Sequence, residues 1–112
     1  MSVCLFCKMI AGEIKPDKVY ENDNILAFRD INPQAPVHIL IIPKTHIETL
    51  NDLNDFALAG QLLETAIKLA KQEGLAADGY RTVFNCNKQG GQEVFHLHMH
   101  LLGGRQMVWP PG

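Results

Sequence analysis

The stretch Glu93-Val94-Phe95-His96-Leu97-His98-Met99-His100-Leu101-Leu102 alternates between two kinds of side chain along its length. In an extended strand, side chains two apart project from the same face. A strand over Glu93 to Leu102 therefore sends Val94, His96, His98, His100 and Leu102 one way and Phe95, Leu97, Met99 and Leu101 the other. The second set is wholly apolar and is expected to bury against a helix, leaving three imidazoles spaced by about 7 Å on the opposite side. Three of the chain's five histidines in strict alternation make an arranged site a better reading than a histidine-bearing exposed face.

Upstream, Tyr80 to Cys86 reads as another strand, joined to the first by the turn-rich Asn87-Lys88-Gln89-Gly90-Gly91-Gln92. Between about Asp55 and Glu73, Phe56, Ala59, Leu63, Ala66, Ile67 and Ala70 recur at three- and four-residue intervals, which predicts the main helix. Asn51, Asp52 or Asn54 can cap its start, and Gly74 stands where a left-handed C-terminal residue belongs. Val37 to Ile42, β-branched and apolar on both faces and closed by Pro43, predicts a central strand. Val19 to Glu21 and Ile25 to Arg29, separated by Glu21-Asn22-Asp23-Asn24, predict a hairpin. The segment Cys4 to Ile14 suggests a short N-terminal helix before Gly12 and Pro16 break it. Five strands in mostly hairpin-like order with one long helix imply an α+β fold with a largely antiparallel sheet, covered on one face by that helix.

At 112 residues, without a repeat or linker-like shift in composition, the chain is expected to form one domain over 1–112. Ten Lys and Arg against twelve Asp and Glu leave no basic excess for a polyphosphate backbone, so no nucleic-acid partner is expected and any bound nucleotide is small. The aliphatic run Ile39-Leu40-Ile41-Ile42 is far short of the roughly 20 apolar residues of a membrane-spanning helix, so no membrane association is expected. Met1-Ser2-Val3 leads directly into Cys4 and Phe6 with no signal-peptide pattern, which predicts a cytoplasmic protein. Among the three cysteines, the Cys4-x-x-Cys7 pair fits a metal or redox site better than a secreted disulfide framework, and Cys86 reads as a buried thiol.

Alternating imidazoles serve two kinds of chemistry: a metal cage, or nucleophilic and acid-base work on phosphorus. Gly90-Gly91 before the histidines and Gly103-Gly104 after them favour phosphate, because glycines let backbone N–H groups approach an anion closely. Each pair read alone is equally well an ordinary turn.

The sequence resembles the histidine triad family, in particular its branch of nucleotide-binding proteins that hydrolyse nucleoside phosphoramidates. Beyond His-x-His-x-His, the matching segments are Leu26-Ala27-Phe28-Arg29-Asp30-Ile31, Gln34-Ala35-Pro36-Val37-His38, Ile42-Pro43-Lys44-Thr45-His46, Gly90-Gly91-Gln92-Glu93-Val94 and the tail from Gly103 to Gly112. The resemblance implies that His98 is the nucleophile attacking the α-phosphorus of a purine nucleoside 5'-phosphoramidate, forming a nucleotidyl-histidine that water cleaves. A neutral imidazole, with an ordinary pKa of about 6.5, offers a bare ring nitrogen at neutral pH, and a bond from its other N–H to a carbonyl would fix the attacking tautomer. No cofactor is required for that chemistry. His100 is then expected at the transferring phosphate, with His96 and His38 in the supporting polar network. Asp30 resembles the acceptor of the ribose hydroxyls, with Ile31 beside it. Asn85, Gly91 and Glu93 match positions close to the phosphate, Glu93 standing where other members carry Ser. Leu5, Phe6, Met9 and Phe28 resemble the apolar walls of the purine pocket, although core packing would select the same residue types.

Cys4-x-x-Cys7 has the spacing of half a zinc site, which two histidines would complete. Some members of the superfamily hold structural zinc with such a pair plus histidines matching His46 and His96; two buried thiols are the opposing reading. The resemblance also implies a homodimer in which the tail carrying Trp109 reaches the other subunit's site. Three functions stay open: phosphoramidate hydrolysis, with a dinucleoside polyphosphate hydrolase as a close rival; nucleotide binding without turnover; and metal-dependent hydrolysis.

Overall fold

The computed structural model describes residues 3–112; Met1 and Ser2, with which the expected leaderless start begins, lie outside the described residues. The chain forms helix α1 (Leu5–Ile10), strands β1 (Lys18–Glu21), β2 (Ile25–Arg29) and β3 (Val37–Pro43), helix α2 (Phe56–Gln72), and strands β4 (Tyr80–Phe84) and β5 (Met99–Gly103). They assemble one five-stranded sheet in the order β1-β2-β3-β5-β4, with every neighbouring pair antiparallel. The expected α+β architecture with a short N-terminal and a long second helix is therefore the observed one. Among the described residues, no helix is long and apolar enough to cross a membrane.

The two faces of the sheet are covered differently, and period-2 alternation explains how. Ile25 and Ala27 of β2, Ile39 and Ile41 of β3, and Met99 and Leu101 of β5 bury against Leu58, Leu62, Ala66 and Leu69 of α2. The alternate positions Leu26, Phe28, Leu40 and Ile42 pack with Phe6 of α1 on the opposite face. With both faces of β3 covered, its continuous apolar run is accounted for.

Helix α2 starts one residue later than the sequence suggested. Its cap is Asp55, whose carboxylate accepts the Leu58 N–H at 3.1 Å. Asn51 and Asp52 are instead absorbed in a preceding 3-10 turn, Leu50–Asp52, where Thr49 and Asp52 cap each other.

The largest departure lies in the histidine stretch. The expected strand over Glu93 to Leu102 is regular only from Met99, and residues 93–98 lie outside the ladder. Pairing Ile41 with Met99 would next place Pro43 opposite Leu97. Pro43 has no N–H to give, and its carbonyl is taken by the ring of His96 at 2.8 Å. The Leu97 N–H turns to the Ile47 carbonyl, and the Val94 carbonyl accepts from Gln92 Nε2. Leu97 still buries against α2, but Phe95, expected to join it, is 45% exposed. The histidines do not lie on an open strand face either: His96 and His98 are buried and His100 is half-buried.

Candidate active site

Ring tautomers follow from which neighbours can only accept and which can only donate. The Nδ1 of His98 lies 2.7 Å from the His96 carbonyl oxygen. A carbonyl accepts, so Nδ1 carries the proton and Nε2 is bare. Phe6 stands edge-on to the same ring, with centroids 5.3 Å apart and planes at 88°, and restricts its rotation.

His100 has the complementary form. The backbone N–H of Gln34 donates to His38 Nδ1 at 3.0 Å, so His38 carries its proton on Nε2. That Nε2–H lies 2.9 Å from His100 Nδ1, which must accept, leaving the proton of His100 on its own Nε2. This His100 Nε2 is buried and has no hydrogen-bond partner among the described residues. A buried donor without a partner costs about 1–3 kcal/mol, so the site holds a donor in reserve beside a bare nitrogen. The His98 and His100 rings are 5.0 Å apart, closer than regular strand spacing gives, because residue 98 precedes the ladder.

Burial pushes His100 down to about 4, with repulsion from His98 and His38 acting the same way. His38 is pushed below the ordinary imidazole range by burial, against the pull of Asp30, and burial also lowers His96. His38, His96 and His100 are thus neutral near pH 7, in agreement with the single-proton tautomers of His38 and His100 above.

These groups open on a cavity of about 650 Å³, larger than the reacting group alone needs. His98, His100, Asn85, Gly91 and Glu93 lie along it, as do Asp30, Ile31 and His38. Phe6 and Phe28 line it and are also buried in the α1-side core, so core and cavity wall are one surface here, while Leu5 is exposed at its rim. Asp30 accepts the Asn32 N–H at 2.9 Å through one oxygen, and its other oxygen lies 3.5 Å from His38 Nε2. Ile31 is almost fully exposed, and Glu93 is exposed at the cavity edge. Arg29 also borders the cavity, but its guanidinium is paired with Glu73 at 2.9 and 3.1 Å. Gly90 permits the approach of the preceding loop, since a Cβ there would lie 2.5 Å from the Cys86 carbonyl oxygen.

A second cluster adjoins the first. The His96 Nε2–H donates to the Pro43 carbonyl, so its Nδ1 is bare, and that atom faces Cys4 Sγ at 3.3 Å, Cys7 Sγ at 3.5 Å and His46 Nδ1 at 3.1 Å. Tetrahedral zinc bonds of about 2.0–2.3 Å separate ligand atoms by roughly 3.3–3.8 Å, so the four side chains are spaced as a metal-binding set. Asp30, His38 and His100 also lie close enough to share an ion. The Gln34 amide, however, forces the His38 proton onto the nitrogen that would have to bind it.

The structure brings these histidines together, and sequence reasoning missed the groups that orient them: the carbonyls of Pro43 and His96, the Gln34 amide and the Gln92 side chain. Gln92 is buried and ties its loop together, donating to the Glu48 and Val94 carbonyls and accepting the Asn87 N–H. Its place directly after Gly90-Gly91 was the available signal for it; backbone groups leave none.

This antiparallel α+β domain, with its carbonyl-oriented histidines over a cavity, matches the model of the HIT domain family over residues 11–107; the chain belongs to that family. It is 55% identical over 106 residues to the purine nucleoside phosphoramidase of Escherichia coli strain K12, covering 92% of this chain and 88% of that protein. It is 53% identical over 116 residues to a 14 kDa zinc-binding protein of Zea mays, covering 99% and 89%. The crystal structure of a HIT family hydrolase from Legionella pneumophila superposes with a TM-score of 0.95 at 63% identity, covering 97% of this chain and 99% of that one.

Proposed function

We propose that this protein hydrolyses purine nucleoside 5'-phosphoramidates at the phosphorus–nitrogen bond through a nucleotidyl-His98 intermediate. The observation that carries the reading is the bond from His98 Nδ1–H to the His96 carbonyl, which leaves Nε2 bare toward the cavity. The likeness to a named purine nucleoside phosphoramidase supports the substrate class. The lone pair of His98 Nε2 forms a bond to the α-phosphorus as the phosphorus–amine bond breaks. The amine keeps that bonding pair and takes a proton from water at the cavity mouth. His100 Nε2–H donates to a phosphoryl oxygen, meeting the charge that grows there with a donor already in place. Water then attacks the phosphorus and gives up a proton to the hydroxide left by the first step, the bond to His98 breaks with its electron pair returning to Nε2, and the nucleoside 5'-monophosphate leaves. Asp30 accepts from the ribose hydroxyls beside Ile31, Phe6, Phe28 and Leu5 border the purine, and Asn85, Gly91 and Glu93 border the phosphate and the departing amine.

Cys4, Cys7, His46 and His96 hold a structural zinc in this reading, supported by their spacing, the bare His96 Nδ1 and the likeness to a zinc-binding protein. Such a closed four-ligand set has no open position for substrate, so zinc would fasten α1 to the histidine segment and take no part in the reaction.

The chain acts as one domain over 1–112 in the cytoplasm, where its three cysteines would stay reduced. It works as a homodimer, with the tail carrying Trp109 at the other subunit's site, and has no nucleic-acid or membrane partner. Phe56, Leu63 and Ile67 expose an apolar stripe on α2, and β4 is an unpaired sheet edge; both support pairing of two copies.

The test is incubation with adenosine 5'-phosphoramidate in chelator, acid quench and peptide mass spectrometry. An adenylate on His98, and loss of turnover on the order of a thousandfold or more in His98→Ala, are expected. Turnover unchanged in that variant, or faster cleavage of a dinucleoside polyphosphate, would overturn the reading.

A further inference from the structure

The orientation of His100 can be traced out of the cavity to the start of the C-terminal tail. Arg105 Nε–H donates to the Gln34 carbonyl at 3.0 Å, and Gln34 N–H donates to His38 Nδ1 at 3.0 Å. Residue 34 is thus gripped at both backbone polar groups, one by the tail and one by the network. Within its loop, between β2 and β3, the other side-chain bonds are local and exposed: Asp30 accepts the Asn32 N–H, and Gln34 Nε2 donates to the Asn32 carbonyl. The tail itself is fitted against this loop. Gly104 has a φ of +92°, and a Cβ added there would lie 2.9 Å from Pro36 Cβ. The Arg105 guanidinium is held from a second side by its Nη1–H bond to the Gln106 carbonyl at 3.2 Å.

We propose that Arg105 is a positioning residue for the reaction: by holding Gln34 it keeps the proton of His38 on Nε2 and so that of His100 on the nitrogen facing the phosphate. The chain of dependence is set by donor and acceptor roles. If the Gln34 amide turns away, only the Asp30 oxygen 3.5 Å from Nε2 still favours that tautomer; His38 is then freer to carry its proton on Nδ1, where its bare Nε2 requires a donor from His100 Nδ1. His100 would present a lone pair to the phosphoryl oxygens in that arrangement, repelling what it should bind. Arg105 touches none of the reacting atoms, so its effect belongs to the fraction of molecules with the productive tautomer. That fraction scales kcat and leaves nucleoside binding nearly unchanged.

The inference rests on the phosphoramidase reading for its kinetic arm only. In Arg105→Ala, kcat for adenosine 5'-phosphoramidate is expected to fall about five- to tenfold, the size of one net hydrogen bond, with KM within about twofold. Arg105→Lys, which keeps a donor, should recover part of the loss. Gln34→Pro deletes the amide hydrogen and should lower kcat at least as far, with circular dichroism reporting whether it folds. Imidazole nitrogen-15 shifts at neutral pH read the tautomers without any turnover: His38 and His100 in Arg105→Ala should move from single-tautomer values toward averaged ones. Unchanged shifts in that variant would overturn the proposal even if kcat fell, and so would a loss confined to KM. Failure of the phosphoramidase reading would appear instead as absent turnover in the parent, with the tautomer shifts still testing the clamp.

Discussion

A carbonyl oxygen can only accept a hydrogen bond, and in this protein two of them separate histidines of like sequence into different roles. The Pro43 carbonyl turns His96 so that its bare nitrogen faces the cysteines; the His96 carbonyl turns His98 so that its bare nitrogen faces the cavity. His100, oriented by His38, is the donor of the set. Removing that donor in His100→Ala is expected to lower kcat by about 10²–10³, as for loss of one oxyanion donor, with a smaller change in KM; steady-state kinetics with the phosphoramidate measures both. Its titration makes a separate prediction. Burial holds His100 near pKa 4, against 6.5 in the unfolded chain, so between those values the unfolded chain binds the extra proton. The stability tied to its neutral form is fully present above about pH 6.5 and is lost as the pH falls through about 4, for a total on the order of 3 kcal/mol. Chemical denaturation across that range should show stability falling with acid, with a shallower slope in His100→Asn. The types and alternation of these residues were legible in the sequence. Their tautomers were not, because a backbone carbonyl or amide looks the same at every position until the chain is folded.

The same distinction explains why β5 was read too long and α2 almost correctly. The apolar periodicity runs through the 17 residues of α2 and specifies it redundantly, so a wrong choice among nearby caps shifts only its end. The histidine alternation continued without a break through residues 93–98, and nothing in those residues announced that the partner strand would offer Pro43 opposite Leu97. Alternation predicts which side chains share a face only where the ladder exists, as Met99 and Leu101 do against α2. Before the ladder, the segment is shaped by its neighbours, and α1 is the principal one: Phe6 packs on His98 while Cys4 and Cys7 reach His96. Helix α1 has only six residues, too few to be stable alone, so a zinc bound by the two cysteines, His46 and His96 should contribute to holding it. Elemental analysis is expected to find about one zinc per chain, as a single four-ligand site requires, and near none in the Cys4→Ser, Cys7→Ser double variant. The melting temperature of that variant should fall by several degrees, as about 1–2 kcal/mol would produce in a domain of this length. Turnover should survive, since zinc offers no position to substrate. Full stability with no metal in the parent would show that hydrogen bonds among the four side chains suffice.

For the molecule as a whole, the sheet and helix leave two features that a single copy does not use. Packing of α2 over β3 and β5 buries Leu62 and Leu69 completely, yet Phe56, Leu63 and Ile67 on the same helix are 75%, 49% and 42% exposed. At about 100° per residue these three fall within roughly 40° of one another, so they form a stripe. Alongside, β4 ends the sheet with one side of its backbone unpaired, a feature that proteins normally cover or charge. A second copy related by a twofold axis would answer both, because an isologous contact sets a stripe and an edge against their own equivalents. Trp109, 81% exposed on a tail tied back by Arg81 through the Val108 carbonyl, would then lie near that contact. Leu63→Glu places two carboxylates against each other across such an axis while leaving the α2 core untouched, since Leu63 already faces outward. Sedimentation at micromolar concentration should find the parent at twice the chain mass and Leu63→Glu mostly at the single-chain mass, with an unchanged circular dichroism spectrum. If the parent itself sediments as one chain, the stripe and the free edge do not join two copies. If the variant remains a dimer, the axis passes elsewhere than through α2.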